Sequence, residues 1–226
     1  MHQRKRERLG FVRTATISGV EALSVTVEVN VGQGLPGISI VGMPDIAVQE
    51  ARQRVRLALR AAGFEVPTMH IVVNLAPSSL KKVGSGFDLP IAIGILLATG
   101  QIPRDSIGTR LCVGELSLDG SVRPVRGLLA YERLAQDQGL GLLSAPIGRS
   151  TPGNFGQQQI CLDNLSDLRF GKFSSPSVCD QHKSKPLIDY AEIAGNELPK
   201  RALQIAAAGG HALMMIGPPG SGKSML

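Results

Sequence analysis

The chain has 226 residues, 43% of them hydrophobic and 19% charged, which is typical of a folded, water-soluble protein of one or two domains. No apolar stretch approaches the roughly 18 residues that a membrane-spanning helix needs, and no apolar segment follows the basic N-terminus as in a secretory signal. Three scattered cysteines favour a reducing, cytoplasmic location, and the net charge of +6 favours an anionic partner such as nucleic acid or nucleotide.

The first elements in chain order alternate between strands and a helix. Apolar residues at every second position from Leu23 to Val31 predict a half-buried strand, and Ile38 to Val41 predicts a second strand. A helix is predicted to follow, with Asp45 as its N-cap and Gly63 as its stop. Its buried face is expected to carry Ile46, Ala51, Val55, Ala58 and Ala62.

The middle of the chain continues this pattern. His70 to Leu75 predicts a strand, and a glycine-rich loop from Lys81 to Gly86 leads into an apolar helix from Asp88 to about Thr99. The remaining predicted elements are short strands at Arg110–Gly114 and Glu115–Leu118, a helix at Gly127–Gln138 and a strand at Gly141–Ser144. Together they predict an α/β fold with several antiparallel strand pairs.

Periodicity stops after Phe170, and the polar, proline-bounded segment 174–187 is predicted to be an interdomain linker. Beyond it, Asn196 to Gly209 predicts a helix, and Ala212 to Ile216 predicts an apolar strand. One face of this predicted helix carries Leu198, Ala202, Ile205 and Ala206.

A phosphate-binding loop follows this predicted strand directly. The segment GPPGSGKS matches the Walker A pattern, in which glycines let backbone N–H groups approach phosphate oxygens. The lysine reaches the β- and γ-phosphates of a nucleotide, and the final hydroxyl binds Mg²⁺. The predicted ATP-binding residues are Gly217, Pro218, Pro219, Gly220, Ser221, Gly222, Lys223 and Ser224, and Ser224 is also the predicted Mg²⁺ ligand.

A row of arginines forms a second candidate site. Arg52, Arg56 and Arg60 recur every four residues on the predicted helix face opposite the apolar one, with Arg54 close by. With the basic N-terminus they are candidate contacts for DNA phosphates. The alternative is an ordinary solvated helix face, in which Glu50 pairs with Arg54. Because no aromatic residues interleave the arginines, base stacking is not indicated.

Several segments carry a family resemblance. The stretch from Asp189 to Leu226 resembles the start of the AAA+ module in magnesium-chelatase-like ATPases of the ComM/YifB family, and segments 34–45, 74–78, 86–93 and 114–128 resemble the same proteins. The resemblance implies a domain at 9–173 similar to the Lon protease domain, of the ribosomal protein S5 domain 2-like class. It further implies the linker at 174–187 and the start of a P-loop AAA+ domain at 188–226.

The resemblance also implies a function. Family members are hexameric, ATP- and Mg²⁺-dependent motors that act on DNA in the cytoplasm, in branch migration during recombination of incoming DNA. This chain stops two residues after Ser224, without a Walker B pair, a sensor or an arginine finger, so we expect no ATP hydrolysis and millimolar nucleotide binding at best. The alternatives are a stand-alone Lon-like binding module and a magnesium-chelatase ATPase subunit.

Peptidase activity is not expected, despite the likeness to Lon. Aligned with that resemblance, the catalytic serine falls on Asp88 and the catalytic lysine on Leu129, and neither can do the original chemistry. Asp88 is instead interpreted as the N-cap of the helix that it begins. Nearby residues that could replace the dyad are interpreted as a polar surface loop; they are Ser78, Ser79, Lys81, Lys82 and Ser85.

Overall fold

The computed structural model describes residues 9–146, 159–175, 193–223 and 226. The chain divides into two units, Met1–Asp180 and Gln181–Leu226. The division falls within the segment 174–187 that the sequence predicts to be a linker, most of which lies outside the described residues.

The first unit is built on one mixed sheet. Its strand order is β3-β4-β2-β1-β5-β8-β9, with β6 and β7 as a separate two-stranded sheet. β1 and β4 pair antiparallel with β2, and the other neighbours pair parallel. The α/β prediction is therefore confirmed. The elements are β1 Leu9–Ser18, β2 Glu21–Gly32, β3 Gly37–Val41, α1 Ile46–Ala61, β4 His70–Ala76, α2 Asp88–Thr99, β5 Arg110–Cys112, β6 Glu115–Leu116, β7 Val122–Arg123, α3 Leu128–Asp137, β8 Gly141–Ser144 and β9 Gln159–Cys161.

Strand β1 is an element that the sequence pattern did not predict. Two of its buried positions are Thr14 and Thr16 rather than apolar residues, so the period of two is hidden. The hydroxyl of Thr16 accepts a hydrogen bond from the backbone N–H of Val83 at 3.1 Å, which satisfies one of these buried polar groups.

Helix α1 begins where its cap predicts. Asp45 is the N-cap, and its Oδ1 accepts a hydrogen bond from the backbone N–H of Val48 at 2.8 Å. Ile46 was wrongly placed on the buried face, because it is 77% exposed. Ile46 is two positions before the buried Val48, which places it about 200° away around the helix, so Ile46 cannot share the buried stripe. The buried stripe consists of Val48, Ala51, Val55, Ala58 and Leu59.

Helices cover both faces of the sheet. Val12 of β1 belongs to a large core with α1 and α2, whereas Ala15 of the same strand belongs to a smaller core with α3. Because odd and even positions of a strand point to opposite faces, these cores lie on the two sides of β1. Every residue of α2 except Thr99 is buried, which is typical of a central helix enclosed by the fold.

The contact between α2 and the sheet depends on two glycines. A Cβ on Gly94 of α2 would come within 2.6 Å of Val29 Cγ2, and a Cβ on Gly10 of β1 would collide with the Gly94 carbonyl oxygen. The helix therefore packs against the strands at backbone distance.

The second unit contains helix α4, Glu197–Gly209, close to its predicted bounds. No residue of α4 is buried, and Leu198 on its predicted apolar face is 82% exposed. The predicted strand at 212–216 is wrong, since these residues form no regular secondary structure. Among the described residues of this unit no second strand is present to pair with it, and an isolated strand has no ladder partners.

Across the described ranges, we find no helix with the length and apolar character needed to cross a membrane.

Candidate functional site

The Walker A loop is described from Gly217 to Lys223, and Ser224, the predicted Mg²⁺ ligand, lies outside the described residues. Gly220 and Gly222 have φ angles of 79° and 77°, in the left-handed region that glycine adopts without strain. The sequence pattern thus places glycine where the turn of the loop requires it.

The side chain of Lys223 folds back over this loop. Its Nζ donates hydrogen bonds to the carbonyl oxygens of Gly217 at 2.8 Å and Pro218 at 2.7 Å, and to Ser221 Oγ at 3.0 Å. All three acceptors are neutral, and Lys223 has no carboxylate partner among the residues the structure describes. The ammonium charge is therefore not neutralised within the loop, which fits a site for the phosphates of a nucleotide.

The arginine row lines a groove in the first unit. Arg52, Arg56 and Arg60 are exposed on α1, as the spacing predicts. With Gln53 they form one wall of a groove of about 270 Å³. The rest of the lining comes from Pro36, Gly37, Ile38, Val66, Pro67, Thr68 and Ile71.

Arg54 does not belong to this row. Its Nε and Nη2 donate to the two carboxylate oxygens of Asp88 at 2.7 and 2.9 Å, which is a bidentate ion pair. Nη2 also donates to the carbonyl oxygen of Ala47 at 2.9 Å, and Glu50 lies 3.7 Å from Nη1. The predicted pair of Glu50 with Arg54 is confirmed, but it is secondary to the contact with Asp88.

Asp88 was wrongly interpreted as a helix N-cap. Phe87 occupies the cap position without a side-chain hydrogen bond, and Asp88 is the first helical residue. Its fully buried carboxylate accepts from Arg54 and from the backbone N–H of Leu116 at 3.2 Å. Burial raises the pKa of Asp88, and the hydrogen bond and charge of Arg54 oppose that rise. Asp88 thus joins α1, α2 and β6.

The two residues at the positions expected for a Lon-type dyad, Asp88 and Leu129, do not form a catalytic pair. Asp88 is buried in its ion pair, and Leu129 is 58% exposed on α3. The substitute residues do not assemble either, because Ser85 Oγ donates to Glu115 Oε2 at 2.6 Å and Lys82 Nζ donates to the carbonyl oxygen of Pro77.

The surface-loop interpretation was wrong for one of these residues. Ser78, Ser79 and Lys81 are exposed, but Lys82 is fully buried. Burial lowers the pKa of Lys82 because the charged ammonium loses hydration. Its backbone explains the position, since its N–H donates to Met43 and its carbonyl oxygen accepts from the N–H of Asp45.

We expect no peptidase activity, because no serine hydroxyl contacts a lysine amine in the described part of this region. Casein and short fluorogenic peptides should remain uncleaved with or without ATP. Steady turnover that Ser79→Ala or Ser85→Ala abolishes would contradict this expectation.

The Arg54–Asp88 pair is a contact that sequence reasoning did not predict. Helix geometry could have shown that Arg54 faces away from the arginine row, because it is two positions from Arg52 and from Arg56 and thus about 200° around the helix from both. Its partner Asp88 could not be predicted, because it lies 34 residues away and no local pattern connects the two residues.

Two family models and several known proteins match this chain. Residues 27–147 match the family model described as subunit ChlI of Mg-chelatase, and residues 189–226, which include the phosphate loop, match that described as magnesium chelatase, subunit ChlI. YifB of Escherichia coli is 39% identical over 224 residues, 96% of this chain and 44% of YifB. Competence protein ComM of Haemophilus influenzae is 39% identical over 230 residues, 96% of this chain and 45% of ComM.

The chain thus spans less than half the length of these two relatives. The match at residues 27–147 covers more than half of the 226 residues of this chain and most of the sheet of the first unit. The chain belongs to the magnesium-chelatase ChlI family of AAA+-type, ATPase-like proteins, together with YifB and ComM.

Proposed function

We propose that this chain contributes the phosphate-binding loop of an ATP-driven motor on DNA of the ComM type. Lys223 carries the proposal, because its ammonium is held in the glycine loop by neutral oxygens alone. When bound, Mg-ATP would supply the free energy of phosphoanhydride hydrolysis to a full-length assembly. Lys223 would hold the β- and γ-phosphates, and Ser224 would be the Mg²⁺ ligand.

The proposed motor works as a hexamer of identical subunits in the cytoplasm. Its proposed task is branch migration during recombination of DNA taken up in natural transformation. Support comes from the relative named as a competence protein. Further support comes from the exposed row of Arg52, Arg56 and Arg60, whose charges suit a phosphate backbone.

The nucleotide part is tested with the chain itself. Residues 211–218 form no strand, and none of the described residues of the loop is buried. Ordering such a segment costs about 1–2 kcal/mol per residue, and ligand contacts alone must offset that cost. We therefore expect Mg-ATP to bind no more tightly than millimolar in titration calorimetry, with no phosphate release.

Two variants control this titration. Lys223→Ala should abolish any weak binding, whereas Lys200→Ala, which removes an ammonium of the same unit bonded to the Ile193 carbonyl oxygen, should not. Micromolar binding that is lost only in Lys223→Ala would show that the loop is already preorganised in this chain. Binding that ignores Lys223 altogether would remove the observation on which the proposal rests.

A further inference from the structure

The groove beside α1 is recessed rather than flat. The row of Arg52, Arg56 and Arg60 lines it together with Gln53, residues 36–38 at the start of β3 and the loop segment 66–68 before β4. These segments come together because β3, α1 and β4 form a parallel crossover, in which the chain returns beside its starting point. The arginines are therefore presented along a trough.

The charge of this groove is all of one sign. No acidic residue lines it, and none of its three arginines has an ion-pair partner within the described ranges. Arg54, on the same helix, provides the contrast, because it is neutralised by Asp88. Exposed guanidinium groups without partners, set in a row, form a site for a ligand with repeated negative charges.

The lining of the groove suits a chain of phosphate esters better than a purely ionic ligand. The same groove also has apolar lining residues, Pro36, Ile38, Val66 and Pro67, while Thr68 and Gln53 add polar groups. A nucleotide unit has both features, since its phosphate can take a guanidinium bidentately and its sugar can contact apolar side chains. An acidic peptide offers carboxylates but no sugar beside each charge.

We infer that this groove binds a single nucleic-acid strand in preference to a duplex, an inference that rests on the proposed action on DNA. A single strand is flexible enough to enter a recessed basic groove. A duplex is a stiff, convex rod that bends only over long distances, so it reaches the rim of a recess of about 270 Å³ and not its interior.

Helix geometry sets the size of the site. Each step of four residues advances about 6 Å, so the three arginines extend over about 12 Å of the groove. Three phosphate contacts on a single strand give a log–log salt slope of about −2, at roughly −0.7 per contact. Affinity should then fall about 20-fold between 50 and 200 mM salt.

The test measures fluorescence anisotropy of a labelled mixed-sequence 20-mer with the whole chain. The same oligonucleotide is used alone and annealed to its complement, at about 50 and 200 mM KCl. We expect the single strand to bind at least tenfold more tightly than the duplex, with the salt dependence given above. The triple variant should bind single strand and duplex equally and should lose most of the salt dependence; its substitutions are Arg52→Gln, Arg56→Gln and Arg60→Gln.

A matched variant removes the same charge elsewhere. Arg123→Gln, Arg126→Gln and Arg133→Gln change three exposed arginines outside the groove and should retain the preference for the single strand. Equal binding of duplex and single strand, or the same loss in both triple variants, would overturn the inference. Displacement by polyglutamate as effective as by unlabelled strand would also overturn it, by showing a general polyanion surface.

Failure of the inference is distinguishable from failure of the proposed function. If the groove variant binds DNA as the parent chain does, the proposed action on DNA stands and the DNA contact lies outside the groove. Absence of all DNA binding removes both DNA proposals, while the Lys223-dependent nucleotide titration tests ATP binding separately. A mononucleotide that displaces the labelled strand at micromolar concentration would show that the groove is a small nucleotide site.

Discussion

Replacing Arg54 by methionine should lower the free energy of unfolding by about 3–5 kcal/mol at neutral pH. The substitution leaves the carboxylate of Asp88 fully buried without its guanidinium, and the N–H of Leu116 as its remaining described donor. An uncompensated buried charge is far more costly than the absence of the pair. Urea denaturation of the whole chain, followed by circular dichroism, measures the loss.

The pH dependence identifies the cause. Burial already raises the pKa of Asp88, and removing Arg54 removes the hydrogen bond and the positive charge that oppose this rise. The folded variant then keeps a proton that the unfolded chain releases, so its stability falls as pH rises above the ordinary carboxyl range. The deficit of Arg54→Met relative to the natural sequence should therefore shrink between pH 7 and pH 5.

Asp88→Asn is the control, because an amide does not titrate. The loss caused by Arg54→Met in the Asp88→Asn background should therefore stay constant over the same pH range, and the double variant should lose less than the sum of the single losses. A deficit of Arg54→Met below about 1 kcal/mol, the value of exposed pairs, would show that water reaches Asp88.

Gly10→Ala should destabilise the first unit by about 2–3 kcal/mol through overpacking. The new Cβ would meet the carbonyl oxygen of Gly94 and come within 3.1 Å of the backbone nitrogen of Ala98. Both are backbone atoms of α2, so no side-chain rotation relieves the contact, and the helix must move away from the sheet. Thermal and urea unfolding should both report the change.

Gly37→Ala is the matched control on another strand. The nearest atom to its Cβ would be the carbonyl oxygen of Leu35 at 4.0 Å, and its φ lies outside the left-handed region. We expect a change within about 1 kcal/mol, the range of strand propensities. Equal stability of Gly10→Ala and Gly37→Ala would mean that α2 does not approach β1 at backbone distance.

Local pattern predicted the elements whose burial repeats with a simple period. The alternating valines of β2 and the stripe of the capped helix α1 were predicted from spacing, and α2 was predicted from its long apolar run. β1 was missed since threonines occupy part of its buried face. The apolar run at 212–216 was misjudged because a strand also needs a partner, which spacing alone does not reveal.

The candidate sites also differ in how far local sequence predicts them. The glycine-rich loop at 217–224 could be located from the sequence because its glycines and lysine are contiguous, and its binding of phosphate stays a prediction. The arginine row follows from helical spacing, but the groove does not, since its other wall comes from segments that only the crossover brings near. The ion pair of Arg54 with Asp88 is likewise a product of tertiary packing.

The self-contacts of Lys223 have a consequence for the kinetics of nucleotide capture. In the proposed nucleotide site, an incoming phosphate would have to displace the three loop oxygens that Lys223 Nζ already contacts. The free energy gained is then the difference between an anionic and a neutral acceptor, and the breaking of the internal contacts adds to the activation barrier. A weakly basic anion such as chloride would gain less from that exchange than phosphate, so the proposed site would favour phosphate over chloride.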